Sequence, residues 1–284
     1  MAGYCDGLAP VGDFIARYGL AAKKSLGQNF ILDLNLTGRI ARAVPDLEDS
    51  VVVEVGPGPG ALTRALLGRG AKKVVAIEFD SRAIGALEEI GAAYPDRLHI
   101  MDADALKVDW RTLKAEFAPA APLRICANLP YNISIPLLVG WLEDGLADSM
   151  ALMFQLEVGR RIVAKPGNKD YGRISILAQL TNKVKLLFEV APSNFHPRPK
   201  VSSCIVGFEK LAIRPAFDEI LKVEEVVKAA FSQRRKMLRS ALRNLFADEV
   251  EMNSALAAAG IAPTSRAEEV APENYLMLAR ILIG

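Results

Sequence analysis

The chain has 284 residues, which is enough for one large or two smaller domains with a substantial core. Hydrophobic residues make up 51% and charged residues 24%, as in soluble globular proteins, and the absence of a signal peptide or a membrane-spanning run predicts a cytoplasmic protein. The net charge of +2 does not by itself indicate nucleic-acid binding, and three dispersed cysteines match no metal or disulfide pattern.

The first predicted elements are short. Residues 1–22 are apolar and contain glycine, with a short predicted helix around 13–18 and no role that we can assign. The basic and amide-containing segment 23–31 predicts a loop that covers part of the molecule. Residues 33–44 predict a helix, because apolar residues recur at a spacing of four and Pro45 ends the pattern.

A buried strand and a glycine-rich turn follow. Val-Val-Val-Glu-Val at 51–55 is typical of a parallel strand buried on both faces. Gly56, Gly58 and Ala61 then fit G-x-G-x-x-G/A between this strand and a predicted helix over 62–67. The pattern predicts a nucleotide-type ligand, with a purely structural turn as the alternative.

An acidic residue ends the next predicted strand, 74–77. Glu78 lies 22 positions after Gly56, close to the ~20-residue offset of the acid that binds ribose hydroxyls in such folds. The ligand can be a nicotinamide dinucleotide or S-adenosylmethionine. Pro59 stands where a dinucleotide site would supply a backbone N–H to the pyrophosphate, and proline has none, so we favour S-adenosylmethionine.

Two aspartates follow a short predicted strand at 98–100. Asp104 or Asp102 can accept a hydrogen bond from the adenine amino group of the cofactor, and either can instead cap a helix. The spacing gives a modest preference for Asp104 as the cofactor contact.

The segment Asn-Leu-Pro-Tyr follows a predicted strand at 123–127, where ligand crevices open in α/β sheets. An adenine amine is a poor nucleophile, and two acceptors aimed at its hydrogens would favour attack on a methyl donor. The carboxamide oxygen of Asn128 and a backbone carbonyl, of Leu129 or Pro130, can be these acceptors, and Tyr131 can stack on the base. The alternative is an ordinary turn with a buried tyrosine.

The remaining elements of the first domain are less informative. Predicted strands cover 150–156, 184–190 and 201–208, and predicted helices cover 157–161 and 174–180. Phe195 is a large apolar residue on a polar loop. It can fill the core, or it can form the second face of an aromatic sandwich opposite Tyr131.

A domain boundary is predicted near residue 210, where helical periodicity takes over. We expect an α/β domain over 1–209 and a small all-helical domain over 210–284. Residues 231–246 predict a helix with apolar residues on one face and cations on another. We expect these cations either to bind RNA phosphates or to form a solvated surface. They are Arg235, Lys236, Arg239 and Arg243.

Together these residues resemble the KsgA-type rRNA adenine N6-dimethyltransferases. The resemblance begins at about residue 24 and continues to the C-terminus. It is carried by Gly27-Gln-Asn-Phe30, Glu54-Val-Gly-Pro-Gly58, Ile77-Glu78, Asp104-Ala105, Asn128-Leu-Pro-Tyr-Asn-Ile-Ser134, Phe195-His-Pro-Arg-Pro-Lys-Val201 and Phe231-Ser-Gln-Arg-Arg-Lys236. In combination these motifs are highly specific.

The resemblance implies a Rossmann-like class I methyltransferase domain and a helical C-terminal domain. It implies S-adenosylmethionine as methyl donor, no metal, and dimethylation of two adjacent adenosines in the 3′-terminal hairpin of small-subunit rRNA, within an immature ribosomal subunit and by a monomer. The implied cofactor contacts are Asn29, Ile31, Gly56, Glu78, Asp104 and Asn128. The implied contacts to the target base are Asn128, Leu129, Tyr131 and Phe195.

Three other hypotheses remain open. A sister group methylates a large-subunit rRNA adenine and shares the catalytic motif, although the helix that contains 233–236 favours the small-subunit group. A ribosome-assembly factor without catalysis is the second, and a DNA adenine methyltransferase is the third, disfavoured by Leu129 where such enzymes commonly have proline. Arg198 also departs from the family, since many relatives have proline at that position.

Overall fold

The computed structural model describes residues 6–23, 26–234 and 236–284. Strands β1 to β9 are Phe30–Ile31, Val51–Val55, Lys73–Glu78, Leu98–Asp102, Leu123–Ala127, Ser149–Gln155, Asn182–Val190, Phe195–His196 and Ser203–Lys210. Helices α1 to α12 are Val11–Arg17, Leu34–Ala41, Ala61–Gly68, Ile84–Ala93, Trp110–Phe117, Tyr131–Asp144, Leu156–Val163, Arg173–Thr181, Phe217–Ser232, Leu238–Ala241, Glu249–Ala258 and Pro272–Ile283. In those three ranges no helix combines the length and the apolar character that crossing a membrane requires.

The main sheet is mixed, with strand order β4-β3-β2-β5-β6-β9-β7. Strands β4, β3, β2, β5 and β6 run parallel, and β9 is antiparallel to β6. From β2 the chain proceeds to β3 and β4 on one side, and then returns to place β5 and β6 on the other. The strand order therefore reverses between β2 and β5, and ligands bind at such reversal points outside the carboxyl ends of the strands.

The buried strands agree with the sequence pattern. All five residues of β2 and all five of β5 are buried, as expected for parallel strands that are covered on both faces. Both have the predicted bounds, and the observed α/β class confirms the predicted class. A two-stranded sheet of β1 and β8 stands apart from the main sheet.

Contacts divide the chain into two compact units. The first consists of 1–138, 146–156 and 186–209, and the second of 139–145, 157–185 and 210–284. Each has a hydrophobic core of its own. The helical unit thus takes in two segments that precede residue 210, and the boundary predicted there for independent domains stays a prediction.

The second unit is centred on two fully buried tyrosines. The hydroxyl of Tyr171 donates to the carbonyl of Val270 at 2.9 Å, and that of Tyr275 donates to the carbonyl of Ala267 at 2.8 Å. These hydrogen bonds satisfy the two polar groups that the core would otherwise leave without partners. They also connect residues 267–270 to helix α12 and to the segment that precedes α8.

The predicted continuous helix over 231–246 is wrong. Helix α9 ends at Ser232, and α10 begins only at Leu238. Between them the backbone turns, because Met237 forms an isolated β-bridge with Arg266 and the N–H of Leu238 donates to the carbonyl of Ser265 at 2.8 Å. Tertiary pairing therefore overrides the helical periodicity of this segment.

The predicted RNA-binding cations consequently do not share one helix face. Lys236 lies in the turn, Arg239 in α10 and Arg243 in the short helical turn that follows, and all three are exposed. Arg243 approaches Glu249, with 3.9 Å between its Nη1 and the carboxylate. Arg235 lies outside the described residues.

Candidate cofactor and target-base site

A cavity of about 330 Å³ opens at the carboxyl ends of the parallel strands. The segments that follow β2, β3, β4 and β5 line it, together with residues 26–31. Its volume lies within the ~300–1,000 Å³ range of small-molecule sites. Of the predicted cofactor and base contacts, the cavity wall contains Asn29, Ile31, Gly56, Glu78, Asp104, Asn128, Leu129 and Tyr131.

Two glycines allow the turn after β2 to pack tightly. Gly58 and Gly60 have φ angles of +53° and +81°, in the left-handed region. A Cβ atom on Gly60 would lie 2.1 Å from Cδ1 of Ile90, and one on Gly58 would lie 2.9 Å from Cε1 of Phe30. Neither position therefore has room for a side chain, and of the two it is the backbone of Gly58 that lies in the cavity wall.

The backbone of this turn is poorly suited to a pyrophosphate. Its three glycine N–H groups donate, in chain order, to the carbonyl of Ile77, the carboxylate of Glu78 and the carbonyl of Pro57, at 2.9, 2.9 and 3.0 Å. Pro57 and Pro59 have no N–H. Residues 56–60 therefore offer no unused N–H to a phosphate, which agrees with the preference for S-adenosylmethionine over a dinucleotide.

Glu78 is held at the end of β3 with both oxygens fixed. Oε2 accepts the N–H of Gly58 at 2.9 Å, and Oε1 accepts the N–H of Asp80 at 2.8 Å. Each carboxylate oxygen has a further lone pair, so the side chain can also accept two ribose hydroxyls. The residue is 5% exposed, and burial raises the pKa of its carboxyl group.

Glu54 is a second buried acid in the cavity wall, and no motif identified it as a site residue in advance. The hydroxyl of Thr63 donates to its carboxylate at 2.6 Å, and burial raises its pKa to about 8. The sequence does contain one signal for Glu54, an acidic residue among the four valines of a buried strand, because acidic side chains are rarely buried without a partner.

The two candidate aspartates after β4 occupy different positions. Asp104 lies in the cavity wall and also caps a helical turn, since its carboxylate accepts the N–H of Leu106 at 3.0 Å. Asp102 is exposed and is not part of that wall. Asp104 can therefore cap the helical turn and contact the cofactor at the same time.

The electrostatic character of the cavity is acidic. The wall contains four acidic side chains, those of Glu54, Glu78, Asp80 and Asp104, and no lysine or arginine among the residues that the structure describes. Because burial raises the pKa of Glu54 to about 8, this residue is neutral at pH 7, and the negative charge of the wall comes from the other three, of which Asp80 is paired with Arg82. Such a wall favours a ligand with positive charge and disfavours a pyrophosphate. S-adenosylmethionine contains a sulfonium and an ammonium group, so the donor and acceptor chemistry of the wall fits it.

Asn128 is oriented by the loop before β1. Its amide nitrogen donates to the carbonyl of Asn29 at 3.1 Å, which leaves the carboxamide oxygen as the acceptor of this side chain. The carbonyl of Pro130 accepts the N–H of Ile133 at 3.1 Å at the beginning of α6. The carbonyl of Pro130 thus already accepts one hydrogen bond, and the assignment of the second acceptor to Leu129 or Pro130 stays a prediction.

Tyr131 is half-buried at the first residue of α6. Its hydroxyl is 2.9 Å from Oγ of Ser203, a fully buried residue at the start of β9. Burial raises the pKa of the tyrosine, so the ring is neutral and available for stacking. The sequence gives no signal for the role of Ser203, because the two residues are 72 positions apart.

Phe195 lies in the hydrophobic core and not in the cavity wall. It is 5% exposed, and its backbone pairs with Ile31 across β1 and β8. This position matches the alternative in which Phe195 fills the core. Its predicted contact with the target base stays a prediction.

Similar proteins are found over nearly the whole chain. A family model described as ribosomal RNA adenine dimethylase matches residues 19–283. A protein described as ribosomal RNA small subunit methyltransferase A, from Sinorhizobium medicae strain WSM419, is 51% identical over 282 residues, which is 98% of both chains. A protein of the same description from Rhodospirillum rubrum is 50% identical over 278 residues, covering 97% of this chain and 93% of the relative.

Two solved structures also resemble this fold. The 23S rRNA methyltransferase ErmE superposes with a TM-score of 0.66 and 26% identity, over 90% of this chain and all of that one. A dimethyladenosine transferase from Plasmodium falciparum has a TM-score of 0.69 and 25% identity, over 88% of this chain and 95% of that one.

The expectation that residues 1–22 fall outside the resemblance holds for most of them in the family model, which begins at residue 19, but not in the alignment with the Sinorhizobium medicae protein. The alignment with the Sinorhizobium medicae protein covers 98% of the chain and therefore includes most of these residues. The structure connects them to the first unit by a buried ion pair. Arg64 of α3 donates to both carboxylate oxygens of Asp6, at 2.6 and 2.7 Å, and both side chains are almost fully buried.

Proposed function

The chain belongs to the ribosomal RNA adenine dimethylase family, and from that membership and the site we propose that it dimethylates N6 of two adjacent adenosines in small-subunit rRNA. It is an S-adenosylmethionine-dependent methyltransferase with a Rossmann-like class I fold and a helical C-terminal region. The observation that carries the proposal is the position of Asn128 in the cavity wall, where its amide nitrogen is bound to the carbonyl of Asn29 and its carboxamide oxygen is left as an acceptor.

The chain's residues hold the cofactor by its polar groups. Glu78 would accept hydrogen bonds from the ribose hydroxyls and Asp104 would accept one from the adenine amine, while the turn at 56–60 would let the ligand approach the backbone closely. Asn29 and Ile31 complete the wall from β1 and the loop before it. The bound cofactor supplies a methyl group on a positively charged sulfur, which is already reactive toward a nitrogen nucleophile.

The residues at the end of β5 prepare the nucleophile. The carboxamide oxygen of Asn128 and the carbonyl of Leu129 or Pro130 accept the two hydrogens of the adenine amine, which localises the lone pair of its nitrogen. Tyr131 stacks on the base and fixes its position. S-adenosylmethionine would supply the methyl group to the amine nitrogen, and the proton that this nitrogen loses would leave to water.

Membership also supports a proposal about the partner. The close relatives are described as small-subunit rRNA methyltransferases, so we propose an immature small ribosomal subunit as substrate, a cytoplasmic location and a monomer. The exposed Lys236, Arg239 and Arg243 are proposed to contact RNA phosphates, together with Arg235.

The competing hypotheses have weaker support. ErmE, which is described as a 23S rRNA methyltransferase, is 26% identical to the chain, whereas the relatives named for the small subunit are about 50% identical over nearly its full length. A ribosome-assembly factor without catalytic activity would not need Asn128 to be held in the cavity wall with its carboxamide oxygen left as an acceptor. A DNA methyltransferase has no support among the relatives described above.

The test is transfer of tritiated methyl groups from S-adenosylmethionine to small ribosomal subunits that lack the modification. Large subunits and DNA are the controls. We expect label only in small subunits, recovered as N6,N6-dimethyladenosine, and label in large-subunit rRNA would instead assign the chain to the sister group. The variant Asn128→Ala should retain partial cofactor binding and lose turnover by about 100-fold or more, as for other preorganised acceptors and donors; normal turnover in this variant would remove the role assigned to Asn128.

A further inference from the structure

A buried carboxylate, Asp80, connects the cavity to the N-terminal segment, which we define as residues 6–22. Arg82 donates to its two oxygens at 2.9 and 2.5 Å, and this pairing lowers the pKa of Asp80 to about 2. The same guanidinium group donates to the carbonyls of Gly19 and Ala21, at 2.9 and 3.3 Å. Arg82 therefore fixes the end of the N-terminal segment to Asp80.

Asp80 is also connected to the site by two hydrogen bonds. Its backbone N–H donates to Oε1 of Glu78 at 2.8 Å, and its Oδ2 accepts the side-chain amide of Gln28 at 3.0 Å. Gln28 directly precedes Asn29, whose carbonyl accepts the amide of Asn128. A continuous series of contacts thus runs from the N-terminal segment to the side chain that faces the reacting amine.

We propose that Asp80 and Arg82 are positioning residues for methyl transfer. They hold Gln28, and through it the carbonyl of Asn29, at the place from which the amide of Asn128 is oriented. This inference rests on the proposed function and goes beyond it, because it gives residues 6–22 a part in the reaction. Since reaction rates depend steeply on the placement of reacting groups, a small shift of the loop at 26–29 reduces turnover without unfolding the protein.

The buried charges explain why the arrangement is stable. The side chain of Asp80 is 5% exposed, and an unpaired carboxylate at such a site would be costly. Arg82 supplies a planar fork that reaches both carboxylate oxygens and still has an Nη1 group for the two carbonyls. A lysine has one nitrogen and cannot reproduce this geometry.

The experiment compares Arg82→Ala, Arg82→Lys and Gln28→Ala with a matched control, Arg17→Ala. Arg17 anchors the same N-terminal segment, since it donates to the carboxylate of Glu89 on α4 at 2.7 and 2.8 Å, but it is not part of the cavity wall. Turnover and KM on small ribosomal subunits, affinity for S-adenosylhomocysteine by calorimetry, and melting temperature are measured for each variant.

For Arg82→Ala and Gln28→Ala we expect kcat to fall about 10-fold, the effect of roughly one lost charge-assisted hydrogen bond. Arg82→Lys should be intermediate, because it keeps the charge beside Asp80. Affinity for S-adenosylhomocysteine should fall about threefold or more in the two alanine variants, since Glu78 and Asn29 belong to the same network. Arg17→Ala should keep kcat within about twofold, although its melting temperature also falls.

Two results would overturn the proposal. One is a loss of kcat in Arg17→Ala as large as in Arg82→Ala, which would show that any loosening of the N-terminal segment has this effect. The other is unchanged kcat and unchanged affinity in Gln28→Ala. If the wild-type protein binds S-adenosylhomocysteine but methylates no RNA, the proposed function fails, and the affinities of the variants still decide whether Asp80 and Arg82 position the site.

Discussion

Replacement of Glu78 by glutamine should weaken cofactor binding much more than it weakens the fold. Both carboxylate oxygens accept a backbone N–H, from Gly58 at 2.9 Å and from Asp80 at 2.8 Å, and each has a second lone pair for a ribose hydroxyl. A glutamine has one oxygen, so its NH₂ group must face one of these donors. One lost charge-assisted hydrogen bond costs about 1.5–3 kcal/mol, which corresponds to a dissociation constant about 10- to 100-fold higher.

Calorimetric titration with S-adenosylhomocysteine measures this effect without requiring RNA. The matched control is Asp102→Asn, because Asp102 pairs in register with Glu78 at the end of the adjacent strand but is exposed and outside the cavity wall. We expect the control to bind within about twofold of the wild type. Wild-type affinity in Glu78→Gln, or an equal loss in both variants, would refute the assignment of the ribose hydroxyls to Glu78.

Three further outcomes follow from the structure. Tyr131→Phe loses the hydrogen bond to Ser203 but keeps the ring, so methyl transfer should fall only about threefold, whereas Tyr131→Ala should lose about 10- to 100-fold with the stacking contact. Burial raises the pKa of Glu54 from 4.5 to about 8, so between these pH values the folded state keeps a proton that the unfolded chain releases. The stability that this group contributes is therefore present below pH 4.5 and is lost as the pH rises to 8. Glu54→Gln, which does not titrate, should show a smaller fall in melting temperature than the wild type over this range. Asp6→Ala leaves the buried Arg64 without its carboxylate and should lower the free energy of unfolding in urea by about 3 kcal/mol.

For each of these three predictions, one result would contradict it. Equal losses of transfer in the phenylalanine and alanine variants of Tyr131 would mean that the hydroxyl, and not the ring, carries its role. If the melting temperatures of wild type and Glu54→Gln changed equally with pH, Glu54 would not be the group that holds the proton in the folded state. An unfolding free energy of Asp6→Ala within about 0.5 kcal/mol of the wild type, as for surface substitutions, would show that the ion pair contributes little.

The part of the site that the sequence predicts is the part made by consecutive residues. The strands at 51–55 and 123–127 are uninterrupted buried runs, and each is followed at once by its functional segment, so their bounds and the positions of Gly56 and Asn128 could be read directly. Their adjacency depends on the pairing of β2 with β5, which general topology rules predict for parallel sheets. Glu78 follows from the same rules.

Contacts between distant residues explain which expectation was wrong and which question the sequence left open. The pairing of Met237 with Arg266 breaks the predicted helix over 231–246, and no local pattern announces it. The position of Phe195 in the core depends on the pairing of β8 with β1, two strands of two residues each that are too short to carry a periodic signal. In both cases the local residues are compatible with two structures, and a distant partner selects one.

In the N-terminal segment, contacts between distant residues also bear on the function. Besides the ion pairs of Asp6 and Arg17, its anchors are backbone carbonyls, those of Gly19 and Ala21 on Arg82 and that of Ala9 on Arg64. A carbonyl has no identity that a sequence can show. Arginines beside nucleotide-binding turns suggest phosphate contacts when only the sequence is considered, yet Arg64 and Arg82 are absent from the cavity wall. The Arg82 guanidinium instead pairs with Asp80 of the wall and with two backbone carbonyls, and that of Arg64 pairs with Asp6 and the carbonyl of Ala9. The placement of the segment that had no predicted role therefore depends on these two arginine side chains.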